Sequence, residues 1–258
     1  MRIPISQGHL EIMRAGNGEP ALLITGLGGR ASFWSRQIAA LSKRFDVIAF
    51  DQRGIGGSSP LAGACTVEGL ARDTLELLDA LGVGRCHVIG HSTGGAIAQV
   101  IAEDHPQRVA RLVLSGTWCA PTAPFSALFR LRKRLLAELG PEVYTLHGAL
   151  VSWPDDWLEA HPELLAPASG AAEAAVTLAR LEAILAFSRA EKLSSIGAPT
   201  LVVCAQDDRL VPPGHSRRIA GAIAGSILRL LPYGGHFPQV TASDAYNALV
   251  TDFLENPL

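Results

Sequence analysis

At 258 residues, with 48% apolar side chains and a formal charge of −2, the chain has the size and core content of one α/β domain, with room for an insertion. The near-neutral balance argues against a nucleic-acid surface or an acidic tail, and no stretch approaches the ~18–20 uninterrupted apolar residues of a membrane span. The apolar run at residues 1–5 is too short for a signal peptide, and cysteines 65, 86, 119 and 204 stand singly with no C-x-x-C or Cys/His cluster, so a cytoplasmic protein with free thiols and no zinc site is expected.

In chain order, residues 3–5 and 10–13 read as an edge hairpin with Gly8 near its turn. Residues 21–25 form a continuous apolar run, as in a strand buried on both faces, and end in the loop Gly26-Leu27-Gly28-Gly29. A helix at 33–41, a strand at 47–50 and the turn-rich loop 51–58 follow. Helical spacing at 67–81 leads to a strand at 86–89, a helix at 93–105 and a strand at 112–115. Then the rhythm breaks. Residues 118–190 carry only helical signals, at 125–139, 142–151 and 171–188, with a joint at Trp153-Pro154-Asp155-Asp156-Trp157. Strands return at 200–205 and 227–231, with helices at 215–224 and 244–254. Alternating strands and helices predict a mostly parallel sheet covered on both faces, and the helical interruption predicts a cap. The expected division is 1–117 core, 118–190 cap and 191–258 core.

The pentapeptide Gly90-His91-Ser92-Thr93-Gly94 fits G-x-S-x-G, in which a strand turns sharply into a helix with a serine at the apex. Side chains two residues either side of that serine would strike neighbouring backbone, hence the glycines. A serine hydroxyl needs a base, and the base an acid, in the chain order Ser, Asp or Glu, His. Past the strand at 200–205 stand Asp207 and Asp208, of which Asp208 is preferred. Past the strand at 227–231 stands His236, and both positions fall at strand C-termini, where sites in open α/β sheets form. Plainer readings are Ser92 as a helix N-cap, the aspartates as turn residues before Pro212, and His236 as a loop histidine. The oxyanion would take the N–H groups of Thr93 and Leu27. The loop 26–29 is not a dinucleotide fingerprint, because no later glycine opens a helix. Candidate pocket residues are the aromatics Trp118, Phe125, Phe129, Tyr144, Trp153 and Trp157. These equally suit a cap core. The basic run Arg130, Arg132, Lys133, Arg134 suits a solvated helix face, but a cation turned into the pocket would favour a carboxylated substrate.

These motifs resemble the α/β-hydrolase superfamily over essentially the whole chain. They are Thr25-Gly26-Leu27-Gly28-Gly29, Asp51-Gln52-Arg53-Gly54-x-Gly56, the elbow 90–95, Asp208-x-x-x-Pro212 and Gly235-His236-Phe237. Within it, Trp153-Pro154-x-Asp156-Trp157, Cys204-Ala205-x-Asp207-Asp208-x-Leu210-Val211-Pro212 and Pro232-Tyr233-Gly234-Gly235-His236 are similar to the aminoacrylate hydrolases of pyrimidine utilisation. The 3-oxoadipate enol-lactone hydrolases are next. Thr25 and Ala205 depart from the histidine and glycine usual at those places, and aminoacrylate hydrolases do not always keep the elbow serine. The resemblance implies an eight-stranded α/β-hydrolase fold with a helical cap after the sixth strand. It implies Ser92, Asp208 and His236 as a triad, no metal or organic cofactor, and hydrolysis of a small ester, lactone or amide-type metabolite. Alternatives on the same residues are carbon–carbon bond hydrolysis, cofactor-free perhydrolysis, or ligand binding without turnover. The expected partner is a small molecule, with no nucleic acid and no membrane; oligomeric state is open, a homodimer included.

Overall fold

The apolar runs in the sequence become strands in the computed structural model of the chain, which describes residues 1–166 and 171–256. The strands are β1 (Arg2–Ile5), β2 (Gly8–Ala15), β3 (Glu19–Ile24), β4 (Phe45–Phe50), β5 (Cys86–His91), β6 (Val109–Ser115), β7 (Thr200–Ala205) and β8 (Ile227–Leu231). They make one eight-stranded sheet in the order β1-β2-β4-β3-β5-β6-β7-β8. The pairs β1–β2 and β2–β4 are antiparallel, and every other pair is parallel.

Side chains alternate between the two faces of a strand, and both faces here are apolar. Leu22, Ile24, Ile48, Val88, Leu112, Leu114 and Val202 point into one core, shared with Leu70 and Leu77 of α2 (Val67–Ala80) and Ile97 and Ile101 of α3 (Thr93–Asp104). Ala21, Leu23, Val47, Ala49, Ile89, Val113, Leu201 and Val203 point into the other, against Ile38 and Leu41 of α1 (Ser35–Leu41). The C-terminal helix adds Tyr246, Val250 and Phe253 to that second core. Each large aliphatic side chain so buried contributes about 1.5–3 kcal/mol. Strand order reverses between β3 and β5, where Ile24 pairs with Gly90, so the loops leaving these two strands lie side by side. That reversal is where open α/β sheets bind ligands.

Between β6 and β7 the described elements are helical: α4 (Ala123–Arg134), a π-turn over Leu135–Leu139, α5 (Gly140–Ser152), α6 (Asp155–Ala160) and α7 (Ala171–Ala186). Thr122 caps α4 by accepting from the Phe125 N–H. The single helix expected over 125–139 is thus divided, and the joint expected at 153–157 instead starts a helix at Asp155, with Asp155 and Asp156 at its positive N-terminal end. After β7 come α8 (Pro213–Ala222), and after β8 the short α9 (Pro238–Thr241) and α10 (Ser243–Glu255). Among the described residues no helix is long and apolar enough to cross a membrane.

Arg189, just past α7, fastens this helical stretch to the sheet domain through Asp104 (2.8 Å), Glu103 (3.3 Å) and Glu68 (3.3 Å). Burial outweighs Arg189 at Glu103 and pushes its carboxyl from 4.5 up to about 7. A carboxyl raised by folding contributes stability that is fully present below its unfolded value and lost as pH rises through the folded one. Glu103→Gln is therefore expected to match the parent near pH 4.5 and to exceed it at pH 8 by up to about 3 kcal/mol. Chemical denaturation at the two pH values checks this, and parallel pH profiles would contradict it.

Candidate active site

The strand β5 passes into α3 through Ser92, which sits at φ 54° and is the one non-glycine residue with positive φ among the described residues. Such a conformation costs on the order of 1–3 kcal/mol and persists where its surroundings enforce it. Those surroundings are tight. A Cβ on Gly90 would lie 2.3 Å from the Gly94 carbonyl oxygen, and one on Gly94 would lie 2.0 Å from that of Ile24. The Ser92 N–H donates to Ser115 O (2.9 Å), and Ser92 O accepts from Gly95 N (2.9 Å) and Thr117 Oγ1 (2.8 Å). Gly94→Ala is expected to destabilise the fold by about 3 kcal/mol or more, read as a drop in Tm, because the obstacle is backbone that cannot swing away. Ser92 begins α3 without making a side-chain cap bond, so its hydroxyl is not spent on the helix.

His236 and Asp208 meet 28 positions apart in sequence: the His236 Nδ1–H donates to Asp208 Oδ2 at 2.8 Å, and both residues are buried. The other carboxylate oxygen of Asp208 accepts the Leu210 and Val211 N–H groups at 2.9 and 2.8 Å. Asp207 instead accepts the N–H groups of Gly234 (3.3 Å) and Gly235 (2.9 Å), which fixes the turn carrying His236. From the other side the His236 N–H donates to Ser152 O at 2.7 Å, pairing a carbonyl at the end of α5. Ser92 and His236 line one cavity of about 630 Å³, though no hydrogen bond joins them here. Such contacts often tighten only once substrate is bound.

The Leu27 loop leaves β3 beside Ser92; a Cβ on Gly26 would sit 3.0 Å from that of Ser92. Leu27 lines the cavity. The Thr93 N–H belongs to the first turn of α3, where helices leave donors without intrahelical partners. Of the six candidate pocket aromatics, Phe129, Tyr144 and Trp153 line the cavity. Trp118, Phe125 and Trp157 do not. Trp118 and Phe125 pack together at 5.0 Å in the core, with Phe187 edge-on to Trp118, while Trp157 lies behind Trp153 at 6.3 Å.

Three further residues stand in the wall. Phe237 follows His236 and packs on Trp153 at 4.6 Å. His91 lies 4.7 Å from the His236 ring with Phe33 stacked on it, and burial, then the neighbouring His236, holds it well below the usual histidine range. Kept neutral, its Nδ1 accepts from Gln239 Nε2 at 3.1 Å. The third is Arg132, the only member of its basic run to be buried. Its signal in the sequence was position: Phe125, Phe129, Arg132 and Leu136 fall at the i, i+4, i+7, i+11 spacing of a helix's buried stripe.

A mostly parallel eight-stranded sheet that turns from its fifth strand into a helix through a strained serine defines an α/β hydrolase. Residues 20–243 match the family described as alpha/beta hydrolase fold, and the chain belongs to that family. It is 39% identical to the "Putative carbamate hydrolase RutD" of Variovorax paradoxus (strain S110), over 95% of each chain. With the protein of the same name from Caulobacter sp. (strain K31) it shares 37% identity, over 93% of this chain and 92% of the other. Among solved structures, the enol-lactonase of Burkholderia xenovorans LB400 superposes with a TM-score of 0.90 at 26% identity, covering 99% of this chain and 100% of that one. The chain is a hydrolase.

Proposed function

We propose that this hydrolase cleaves a small ester, lactone or amide-type metabolite, carbamates included, through Ser92, His236 and Asp208. The observation that carries the reading is the strained Ser92 sharing a cavity with a histidine whose far nitrogen is bound to a buried carboxylate. The bond from Nδ1–H to Asp208 leaves Nε2 of neutral His236 without a proton and able to accept one. His236 takes the Ser92 hydroxyl proton as Oγ attacks the substrate carbonyl, and the Leu27 and Thr93 N–H groups hold the oxyanion. His236 then returns the proton to the leaving group. Water, deprotonated in turn by His236, releases the acid from the acyl-enzyme and restores Ser92. Buried and kept neutral, with Nδ1 already accepting from Gln239, His91 is the poorer base.

The helical stretch between β6 and β7 is assigned as a cap. Its Phe129, Tyr144, Ser152, Trp153 and Ile184 line the cavity and would shape what reaches Ser92. The names of the relatives fit the reading, since carbamates and enol-lactones both present a carbonyl joined to a heteroatom leaving group. Stopped-flow mixing with p-nitrophenyl acetate tests it. A burst of about one p-nitrophenolate per chain before the steady state is expected of an acyl-enzyme. Slow linear release with no burst, unchanged in Ser92→Ala, would overturn the reading.

A further inference from the structure

Helix α4 turns Phe125, Phe129 and Arg132 inward, as the π-turn after it does Leu136, and only Arg132 is charged. Its neighbours in the basic run have ordinary surface roles: Arg130 is exposed, Lys133 pairs with Glu182 and Arg134 with Glu138. Arg132 is 5% exposed and sits in the wall of the cavity that holds Ser92 and His236. Nη2 donates to Tyr144 Oη at 2.9 Å, and the guanidinium carbon lies 4.6 Å from the Tyr144 ring centre and 5.9 Å from that of Phe129. These ring contacts hold a planar cation in place but do not neutralise it.

What is missing is an anion. Nε and Nη1 are buried with no hydrogen-bond partner, and no carboxylate pairs with Arg132 among the described residues. A buried cation lacking a counter-ion, and partners for two of its three donor nitrogens, is costly, and nearly all buried polar groups in folded proteins are bonded. Neighbouring His147 is held below the usual histidine range by burial and then by the Arg132 charge. Gly148, itself in the cavity wall, lets the guanidinium lie close against α5, since a Cβ there would come 3.3 Å from Nη1. Tyr144 Oη accepts from Arg132, which leaves its own O–H free to donate.

We infer that Arg132, with Tyr144 Oη beside it, is the specificity-determining group of this cavity and binds a carboxylate of the substrate. The substrate class narrows to small ester, lactone or amide-type compounds that carry a carboxylate away from the scissile carbonyl. The inference rests on the serine-hydrolase reading for its chemistry, but not for its binding.

The test separates the two. Rates of p-nitrophenyl hydrogen glutarate and of its neutral counterpart p-nitrophenyl pentanoate are compared in the parent, Arg132→Met and Arg132→Lys, and glutarate binding is titrated by calorimetry. The parent is expected to prefer the anionic ester in kcat/KM by about 10- to 100-fold, the scale of a hydrogen bond to a charged group. Arg132→Met should erase that preference together with glutarate binding, and Arg132→Lys should keep part of both. A parent that neither prefers the anionic ester nor binds glutarate overturns the inference. So does a substitution that slows both esters equally while glutarate still binds. If Arg132→Met does not fold, Arg132→Lys and the parent's own preference carry the comparison. Arg132-dependent glutarate binding without turnover of either ester would sustain the carboxylate site and sink the hydrolytic reading alone.

Discussion

Ser92→Ala is expected to lower kcat on any ester the parent accepts by on the order of 10⁵- to 10⁶-fold, with the fold intact. Alanine keeps the Cβ and so the same strained backbone. The main-chain bonds that enforce the turn, to Ser115 and from Gly95, do not involve the hydroxyl. What is lost is the Oγ that His236 would deprotonate. Thermal denaturation of the variant should therefore track the parent while turnover falls to the residual level the oxyanion donors can support. Equal activity in the two proteins would mean that the cavity works without an acyl-enzyme.

Asp208→Asn should cost about 10⁴-fold in kcat with little change in KM, and the reason lies in how Asp208 is held. One of its oxygens accepts the Leu210 and Val211 N–H groups, so an asparagine must place its carbonyl there and turn its NH₂ toward His236. His236 Nδ1 then has to accept, its proton moves to Nε2, and the ring can no longer take one from Ser92. Asp207→Asn is a contrasting control. Its amide oxygen can still accept from the Gly235 N–H, so the turn bearing His236 is kept and a loss of less than about tenfold is expected. Steady-state kinetics on the two variants check this, and a larger loss from Asp207→Asn would assign the acid to the wrong aspartate.

The fold was legible because its signals are local. The runs at 200–205 and 227–231 coincide with β7 and β8, since apolar stretches between turn residues have few other ways to bury themselves. The boundary inside residues 125–139 was not, because Leu135, Leu136 and Leu139 carry the apolar pattern of a helix straight on through the π-turn, where only the backbone hydrogen bonds change. The candidate triad was legible for the same reason as the fold: each member follows a strand end, and the sheet brings strand ends together. Pocket aromatics are a different problem. Trp118, Phe125, Phe129 and Trp153 are alike as sequence, and only packing decides that the first two fill the core while the last two face the cavity. Arg132 was hidden among three surface cations, and the stripe it shares with Phe125, Phe129 and Leu136 was the clue. Asp207 looked like a turn residue, and its hold on Gly234 and Gly235 spans 27 and 28 positions that no local pattern links.

The most direct measurement is the mass of the intact protein after treatment with a small fluorophosphonate, followed by peptide mapping, with Ser92→Ala alongside. One adduct per chain, located on the peptide that contains Ser92 and missing from the variant, is the predicted result. Folded parent that gains no mass, or a label that persists in Ser92→Ala, would contradict an activated Ser92 and the mechanism built on it.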